Sequence, residues 1–384
     1  MHFKALPETF ESFGEARRNG FLAVKQLKDQ GRGVVGTFCT YTPTEIFLAG
    51  GLTPVGLCAT SDETVSEAEK TLPRNLCPLI KSSYGFVVTD KCPYAYFSDL
   101  IVGETTCDGK KKMYELLARH KTVHVMELPQ TQNLIYAKKL WRSEILRLKN
   151  AVEELFELSI SDEAISLAIK RRNVERKLLK DLYELSALSP PPMTGLQQLR
   201  ILFGSQFKFN HTDKVEELKQ LISNLKETAQ TNQGPVPKTH KRIVITGCPM
   251  GGATEKVVEA IEGAGAVVVA FENCTGAKQY DRLVDETIEP ISALTEYYLA
   301  IGCAVMSPNP NRFELLERLC HQFKADGVVE MTLTACQPYG VESASVREFL
   351  NERGIKFMSV ETDYSSSDSE LLKTRAAAFI ETLS

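Results

Sequence analysis

The chain has 384 residues, of which 43% are hydrophobic and 24% are charged, and its formal net charge is −4. This composition is typical of a globular protein with about two or three domains, and the charge excludes a polybasic surface for nucleic acid or anionic membranes. Apolar runs such as Ala264–Phe271 are far shorter than the roughly 20 residues of a membrane-spanning helix. Met1–Phe10 lacks the apolar core of a secretory signal, so we expect a cytoplasmic protein.

The first 130 residues predict an α/β domain. The pattern predicts a long helix over Glu8–Asp29, followed by strands that alternate with helices. The predicted strands are Gly33–Phe38, Thr53–Cys58, Asp99–Gly103 and Val123–Glu127, and the predicted helices run from Pro43 to Phe47 and from Lys111 to His120. Strands that alternate with helices predict a parallel, doubly wound sheet.

Residues 131–238 predict a helical insertion that ends in a linker. Apolar residues recur at helical spacing in Leu140–Leu158 and Val215–Leu225. Three successive prolines within Ser189–Gly195 predict a break between helices. Glycine and proline then mark a linker over Thr231–Lys241.

Residues 239–384 predict a second α/β domain, so the chain reads as two α/β lobes with the helical insertion between them. Its predicted strands are Arg242–Thr246, Val267–Phe271, Gly327–Thr332 and Lys356–Val360. Its predicted helices are Glu255–Glu262, Pro290–Ala300, Arg312–Phe323, Val341–Arg353 and Glu370–Leu383. Pro290 suits the first position of its helix, where no backbone N–H is needed.

Ten cysteines are present, and cytosolic thiols are normally reduced, so disulfide bonds are not expected. Six of them follow an apolar run or stand at the mouth of a turn: Cys39, Cys77, Cys107, Cys274, Cys303 and Cys336. They are separated by 38 and 30 residues in the first lobe and by 29 and 33 in the second. Loops after parallel strands converge on one crevice, where thiolates could hold an iron–sulfur cluster. Spacing alone also fits buried core cysteines, because no compact C-x-x-C pattern is present.

The other four cysteines divide into two groups. Cys58 falls in a predicted strand and Cys320 in a predicted apolar helix, so both are predicted core residues. Cys92 and Cys248 precede proline at turns and remain alternatives, as ligands or as neighbours of ligands.

Other candidate chemistry is sparse. Gly247–Gly252 predicts a strand–helix turn that could hold an anion, but neither a Walker A loop nor a GxGxxG fingerprint is present, which argues against NAD or FAD. Lys110–Lys112 predicts a solvated helix start, with the alternative that it meets an anionic partner or balances cluster charge. Glu330 and Glu361 lie near strand ends and are candidate proton donors to a reduced substrate, with hydrogen bonding to loop backbone as the alternative.

Long segments of the chain resemble the 2-hydroxyacyl-CoA dehydratase and benzoyl-CoA reductase group. The matching segments are GTFCTYTPTEIFLAGG, LPRNLCPLIKSSYGF, SDLIVGETTCDGKKKMYE, TGCPMGGATEKVVEAIE, FENCTGAK and VETDYSSSD. Because cysteines occur in both lobes of one chain, the sequence most resembles the double-cubane-cluster proteins, which are anaerobic reductases.

The resemblance implies two Rossmann-like lobes around an [8Fe–9S] cluster, in which two cubanes share a bridging sulfide. It implies six ligands: Cys39, Cys77, Cys107, Cys274, Cys303 and Cys336. It also implies a homodimer and a separate ATP-hydrolysing activator, whose own [4Fe–4S] cluster supplies low-potential electrons for the reduction of a small molecule. Two alternatives stay open. One is a subunit of a radical 2-hydroxyacyl-CoA dehydratase with a single [4Fe–4S] cluster, and the other is a non-catalytic electron carrier or cluster scaffold.

Overall fold

The structure is a computed structural model that describes residues 6–249 and 251–383. Met1–Ala5, part of the N-terminal segment that lacks the apolar core of a secretory signal, lie outside the described residues. Within the described part, no helix is both long enough and apolar enough to cross a membrane.

The described residues form two four-stranded sheets in which all pairs are parallel. The first sheet contains β1 (Val34–Thr37), β2 (Thr53–Gly56), β3 (Leu100–Glu104) and β4 (Val123–Met126), in the order β2-β1-β3-β4. The second contains β5 (Lys241–Gly247), β6 (Ala266–Phe271), β7 (Gly327–Leu333) and β8 (Lys356–Thr362), in the order β6-β5-β7-β8. The predicted α/β class with two doubly wound parallel sheets is confirmed, and the two sheets share one strand order.

Three strands are buried along their whole length, as expected for parallel sheets covered on both faces. Every residue of β3, β6 and β7 is buried. Two of these strands nevertheless contain a carboxylate, Glu104 in β3 and Glu330 in β7. A buried carboxylate needs a charged or hydrogen-bonding partner, so both strands mark places where polar groups gather.

Sixteen α-helices lie in the described residues. In chain order they are α1 (Leu6–Asp29), α2 (Thr44–Ala49), α3 (Val65–Ala68), α4 (Pro78–Val88), α5 (Pro93–Phe97), α6 (Asp108–Leu117), α7 (Ile135–Phe156), α8 (Asp162–Glu184), α9 (Gly195–Gly204), α10 (His211–Gln230), α11 (Gly252–Gly263), α12 (Ala277–Tyr280), α13 (Pro290–Leu299), α14 (Pro310–Gln322), α15 (Gln337–Asn351) and α16 (Ser369–Glu381). Short 3-10 helices cover Leu185–Ala187 and Ser205–Phe207.

Most predicted helices are confirmed, and the exceptions have a physical reason. Pro290 is the first residue of α13, and the predicted break at Ser189–Gly195 separates α8 and its 3-10 extension from α9. The sequence pattern does not predict α4, because this helix is buried on nearly all sides and lacks an amphipathic period. Helix α6 begins three residues before the predicted Lys111, which places Lys110 inside it.

The described residues group into two compact units. Unit A contains Arg18–Arg176 and Arg282–Asn311, and so holds the first sheet. Unit B contains residues 6–17, 177–281 and 312–383, with the second sheet. This grouping differs from the predicted boundaries at 130 and 238, because α7 and α13 share one hydrophobic cluster with β1, β3 and β4.

Candidate functional site

In unit A, three cysteine-bearing loops meet at the carboxyl ends of the strands. The chain reverses its winding direction between β1 and β3, and such a switch point opens a crevice. Cys39, Cys58 and Cys107 follow β1, β2 and β3, respectively. The Phe38 carbonyl oxygen accepts hydrogen bonds from Cys58 Sγ at 3.1 Å and from Lys110 Nζ at 2.9 Å. One backbone carbonyl therefore joins the loops after all three strands.

Two predictions about this edge are wrong. Cys58, a predicted core residue, is only half-buried, and its thiol lies at the crevice. Lys110, predicted to be solvated, is 8% exposed, whereas Lys112 two residues later is exposed as predicted. The strand β2 ends at Gly56, two residues earlier than predicted, which moves Cys58 from the strand into the loop.

Three of the six predicted ligands begin a helix. Cys77, Cys107 and Cys336 are the N-cap residues of α4, α6 and α15. The first N–H groups of a helix have no partner within it, and the helix dipole favours negative charge at this end. A thiolate at such a position is stabilised, which suits a metal-ligating cysteine. Cys92 instead caps the short helix α5, where its Sγ accepts a hydrogen bond from Ala95 N at 3.5 Å.

Glu104, at the carboxyl end of β3, is a functional candidate that the sequence analysis missed. Its side chain is fully buried, Oε1 accepts a hydrogen bond from the Thr42 hydroxyl, and Oε2 has no hydrogen-bond partner among the described residues. Burial raises the pKa of Glu104 to about 7, although Thr42 and Lys110 act to lower it. Such a carboxyl can give or take a proton near neutral pH. The available signal was a glutamate that directly follows the apolar run Leu100–Gly103.

In unit B, the loops after the first three strands also meet. Cys248, Cys274 and Cys336 follow β5, β6 and β7. Cys248 Sγ accepts a hydrogen bond from Leu333 N at 3.2 Å, and the Cys248 carbonyl accepts one from Asn273 Nδ2 at 2.5 Å. Cys248, an open alternative above, is therefore in contact with the last residue of β7 and with the loop that carries Cys274.

The Gly247–Gly252 segment joins β5 to α11, as predicted. Gly247 has φ +111°, and a Cβ there would overlap the Met331 carbonyl oxygen of β7. Only glycine lets the end of β5 lie this close to β7. Met250 lies outside the described residues, so nothing tests the segment as an anion site.

Buried charges in unit B are paired with one another. Arg312 Nη2 lies 3.0 Å from Glu330 Oε1, and Lys278 Nζ lies 3.0 Å from Glu272 Oε1. Burial raises the pKa of Glu272, but Lys278 and Arg312 outweigh it and hold the pKa below its ordinary value. Glu330 thus lies in an ion pair within the sheet, whereas Glu361 is exposed on β8. Proton donation by Glu330 and Glu361 stays a prediction.

The second predicted cysteine triplet does not fall within one unit. Cys274 and Cys336 belong to unit B, whereas Cys303 belongs to unit A, between α13 and α14. The Cys303 carbonyl accepts a hydrogen bond from Asn309 Nδ2 at 2.9 Å, and Cys303 packs against the hydrophobic cluster that Cys39 also contacts. Cys320, a predicted core residue, is buried in α14, and this prediction is confirmed.

By position along the chain, the ten cysteines occupy corresponding places in the two sheets. Each sheet has one cysteine after its first strand, one after its second, two in the connection from its second to its third, and one after its third. The corresponding pairs are Cys39 and Cys248, Cys58 and Cys274, Cys77 and Cys303, Cys92 and Cys320, and Cys107 and Cys336. Among these pairs, only Cys107 and Cys336 are both the N-cap residue of a long helix.

The chemistry of these donors fits an iron–sulfur group. Thiols at helix N-termini, with a buried ammonium beside them, suit an anionic group with soft ligands better than a hard cation with oxygen ligands. No three histidine, cysteine, aspartate or glutamate side chains among residues 6–249 and 251–383 are arranged around one metal position. The predicted ligand set therefore stays a prediction.

Comparison with known proteins identifies relatives over nearly the whole chain. The family model described as 2-hydroxyglutaryl-CoA dehydratase, D-component, matches residues 39–383. A putative dehydratase subunit, YjiM, of Escherichia coli is 50% identical over 379 residues, which cover 98% of each chain. The beta subunit of (R)-phenyllactyl-CoA dehydratase from Clostridium sporogenes is 24% identical over 94% of each chain. One of the subunits of benzoyl-CoA reductase from Thauera aromatica is 21% identical, again over 94% of each.

Proposed function

Because the chain belongs to the 2-hydroxyglutaryl-CoA dehydratase D-component family, we propose that it is an iron–sulfur enzyme that reduces a small molecule with low-potential electrons. The observation that carries the proposal is the repeated placement of cysteines. Both sheets have the same strand order, and each carries five cysteines at corresponding connections. One chain thus offers cysteines for two cubanes, as the double-cubane [8Fe–9S] cluster requires.

In this proposal, Cys39, Cys77 and Cys107 ligate one cubane. The first and third follow the two strands that flank the switch point of the first sheet, and Cys77 and Cys107 start helices. Lys110 connects the segments around Cys107 and Cys39. It lies three residues after Cys107, and its Nζ donates a hydrogen bond to the carbonyl of Phe38, the residue before Cys39.

Cys274, Cys303 and Cys336 are the proposed ligands of the other cubane. Two positions support this assignment: Cys336 is the N-cap residue of α15, and Cys274 follows the end of β6. Cys248 is the alternative to Cys303, because its thiol accepts a hydrogen bond from Leu333, at the end of β7, and its carbonyl accepts one from the loop that carries Cys274.

When bound, such a cluster supplies electrons one at a time. The chain itself would hold the cluster and manage protons, for which Glu104 is the best-placed group in unit A, because its pKa of about 7 matches neutral conditions. The chain has no Walker A motif, so ATP-driven electron delivery would need a separate activator protein. We further propose that the enzyme is a homodimer.

A second candidate function is that of a subunit of a radical 2-hydroxyacyl-CoA dehydratase with a single [4Fe–4S] cluster. The relative from Clostridium sporogenes is itself named as a dehydratase beta subunit. In addition, Cys39, Cys77 and Cys107 all belong to unit A, whereas the second triplet is divided between the units.

Iron and acid-labile sulfide per chain, measured on protein purified and reconstituted without oxygen, test both functions. About eight irons with about nine sulfides support the double cubane, and about four irons support the single-cluster dehydratase. Cys107→Ser and Cys336→Ser should each remove about half of the iron in the first case. In the second case, only Cys107→Ser should remove it. Cys320→Ser is the matched control, because Cys320 is buried inside α14 and should leave the iron content unchanged.

Wild-type protein without iron after reconstitution would refute both functions. The electron-carrier alternative is tested separately, by adding a low-potential reductant and candidate acyl-CoA substrates to the loaded protein. A cluster that is reduced and reoxidised with no change in any substrate would favour the carrier.

A further inference from the structure

Lys110 is a buried ammonium at the edge of the first sheet. It lies in the first turn of α6, and its residue is 8% exposed. Its Nζ donates a hydrogen bond to the Phe38 carbonyl at 2.9 Å and lies 5.9 Å from the centroid of the Phe38 ring. An ammonium has three donors, and this is the one hydrogen bond that Nζ makes to the described residues.

No carboxylate oxygen within residues 6–249 and 251–383 comes within 4.0 Å of Lys110 Nζ. Burial acts to lower the pKa of Lys110, but Tyr114, the thiols of Cys58 and Cys39, and Glu104 outweigh it and raise this pKa well above its ordinary value, so Lys110 stays charged. Tyr114 stays neutral, because burial raises its pKa well above the ordinary value. The Glu104 carboxyl is not fully ionised at neutral pH, since its pKa is about 7. The remaining source of negative charge is therefore thiol sulfur.

Unit B contains a second buried lysine that can be compared with Lys110. Lys278 is also buried beside a cysteine-bearing loop, four residues after Cys274. There, Nζ lies 3.0 Å from Glu272 Oε1 and 2.8 Å from the Tyr339 hydroxyl. Lys278 thus has a carboxylate in an ion pair, and Lys110 has none within 4.0 Å among the described residues.

A buried ammonium without an anionic partner is destabilising. We propose that the charge of Lys110 compensates an anion held by the thiolate of Cys39, and that Lys110 thereby raises the reduction potential of the cluster in unit A. This inference rests on the proposed iron–sulfur function. The cluster gains one negative charge on reduction, so a fixed positive charge stabilises its reduced form more than its oxidised form.

Three substitutions separate charge from hydrogen bonding. Lys110→Gln removes the charge but keeps a donor for Phe38, Lys110→Arg keeps both, and Lys110→Met removes both. Lys112→Met is the matched control, because it removes the same charge from an exposed position on the same helix. The readout is an anaerobic redox titration followed by electron paramagnetic resonance, with iron per chain measured on each sample.

We expect the Gln and Met variants to shift the reduction equilibrium at least tenfold toward the oxidised cluster, which is about 59 mV for one electron. The Arg variant and Lys112→Met should keep the wild-type potential. A wild-type potential in Lys110→Gln with full iron would overturn the inference, and Lys110 would then act only through its hydrogen bond. A wild-type chain that binds no iron would instead refute the proposed function.

Iron-free protein provides the second measurement, which applies even if the neutral variants lose iron. Without the cluster, Lys110 has no cluster charge to compensate. If Lys110 acts through the cluster, the Gln and Met variants should therefore unfold at the same urea concentration as wild type, as followed by the fluorescence of Trp141, the single tryptophan. A lower urea midpoint for both variants would show that Lys110 is a structural residue and would overturn the inference.

Discussion

The buried carboxyl of Glu104 gives a quantitative prediction about pH and stability. Its pKa is raised from 4.5 to about 7 in the folded protein, chiefly by burial. A difference of this size corresponds to about 3 kcal/mol between the two protonation states. The folded state holds the proton more tightly than the unfolded state. The contribution of Glu104 to stability is therefore complete below pH 4.5 and is lost as the pH rises through about 7.

Glu104→Gln should remove this pH dependence. The amide is neutral at every pH, has nearly the same shape, and can still accept the hydrogen bond from Thr42 through its oxygen. The free energy of unfolding of the variant, relative to wild type, should therefore rise by about 3 kcal/mol between pH 4.5 and pH 8. All other titrating groups are common to both proteins and cancel in the difference.

The assay is urea unfolding of reduced, iron-free protein under nitrogen, followed by Trp141 fluorescence. Trp141 is fully buried in α7 and belongs to unit A, as Glu104 does, so its emission reports on the relevant unit. Glu115→Gln is the control, because Glu115 is exposed on α6 and the variant changes the net charge equally. An equal difference between Glu104→Gln and wild type at pH 4.5 and pH 8 would refute the reasoning.

Three further predictions concern other buried groups. Arg176→Met leaves Glu45 buried without the guanidinium that lies 2.6 Å away, and urea titration should show a loss of roughly 3–5 kcal/mol, largely recovered when Glu45→Gln is added. Gly103→Ala places a methyl group on the ring of Tyr114, and the thermal midpoint should fall with a loss of about 1–3 kcal/mol. The Cys320 thiol has a pKa raised to about 12 by burial, so peptide mass spectrometry should find it unmodified by iodoacetamide at pH 8.

Most of the fold could be predicted from the sequence, because strands that are buried on both faces are continuous runs of apolar residues. The run Ala266–Phe271 has no polar residue, and a strand was predicted from Val267 to Phe271. Helices that are half-buried keep an amphipathic period and were also predicted. Helix α4 was not, because a helix buried on nearly all sides has no period to detect. The boundaries of the compact units were harder to predict from the sequence, because residues 282–311 join unit A only through contacts with residues far away in the chain.

Only the general position of the candidate site could be predicted from the sequence. Strand ends converge in any doubly wound sheet, so the sequence could place Cys39 and Cys107 near one another. It could not show that Cys58 lies in the same place, because two residues at the end of β2 decide whether its side chain belongs to a strand or a loop. Nor could it distinguish Lys110 from Lys112, since three successive lysines look alike until the helix start fixes which one faces inward.

The surroundings of Lys110 and Lys278 show that the charge of a buried lysine has different partners in the two units. Each is a buried lysine beside a cysteine-bearing loop, so burial and residue type are the same in both. Unit B supplies Glu272 as a carboxylate 3.0 Å from Lys278 Nζ. Among the described residues of unit A, the carboxyl that acts on Lys110 is Glu104, whose pKa of about 7 leaves it partly protonated near neutral pH. An anion held by the cysteines of unit A would place negative charge beside Lys110, whereas Lys278 in unit B already lies beside the carboxylate of Glu272.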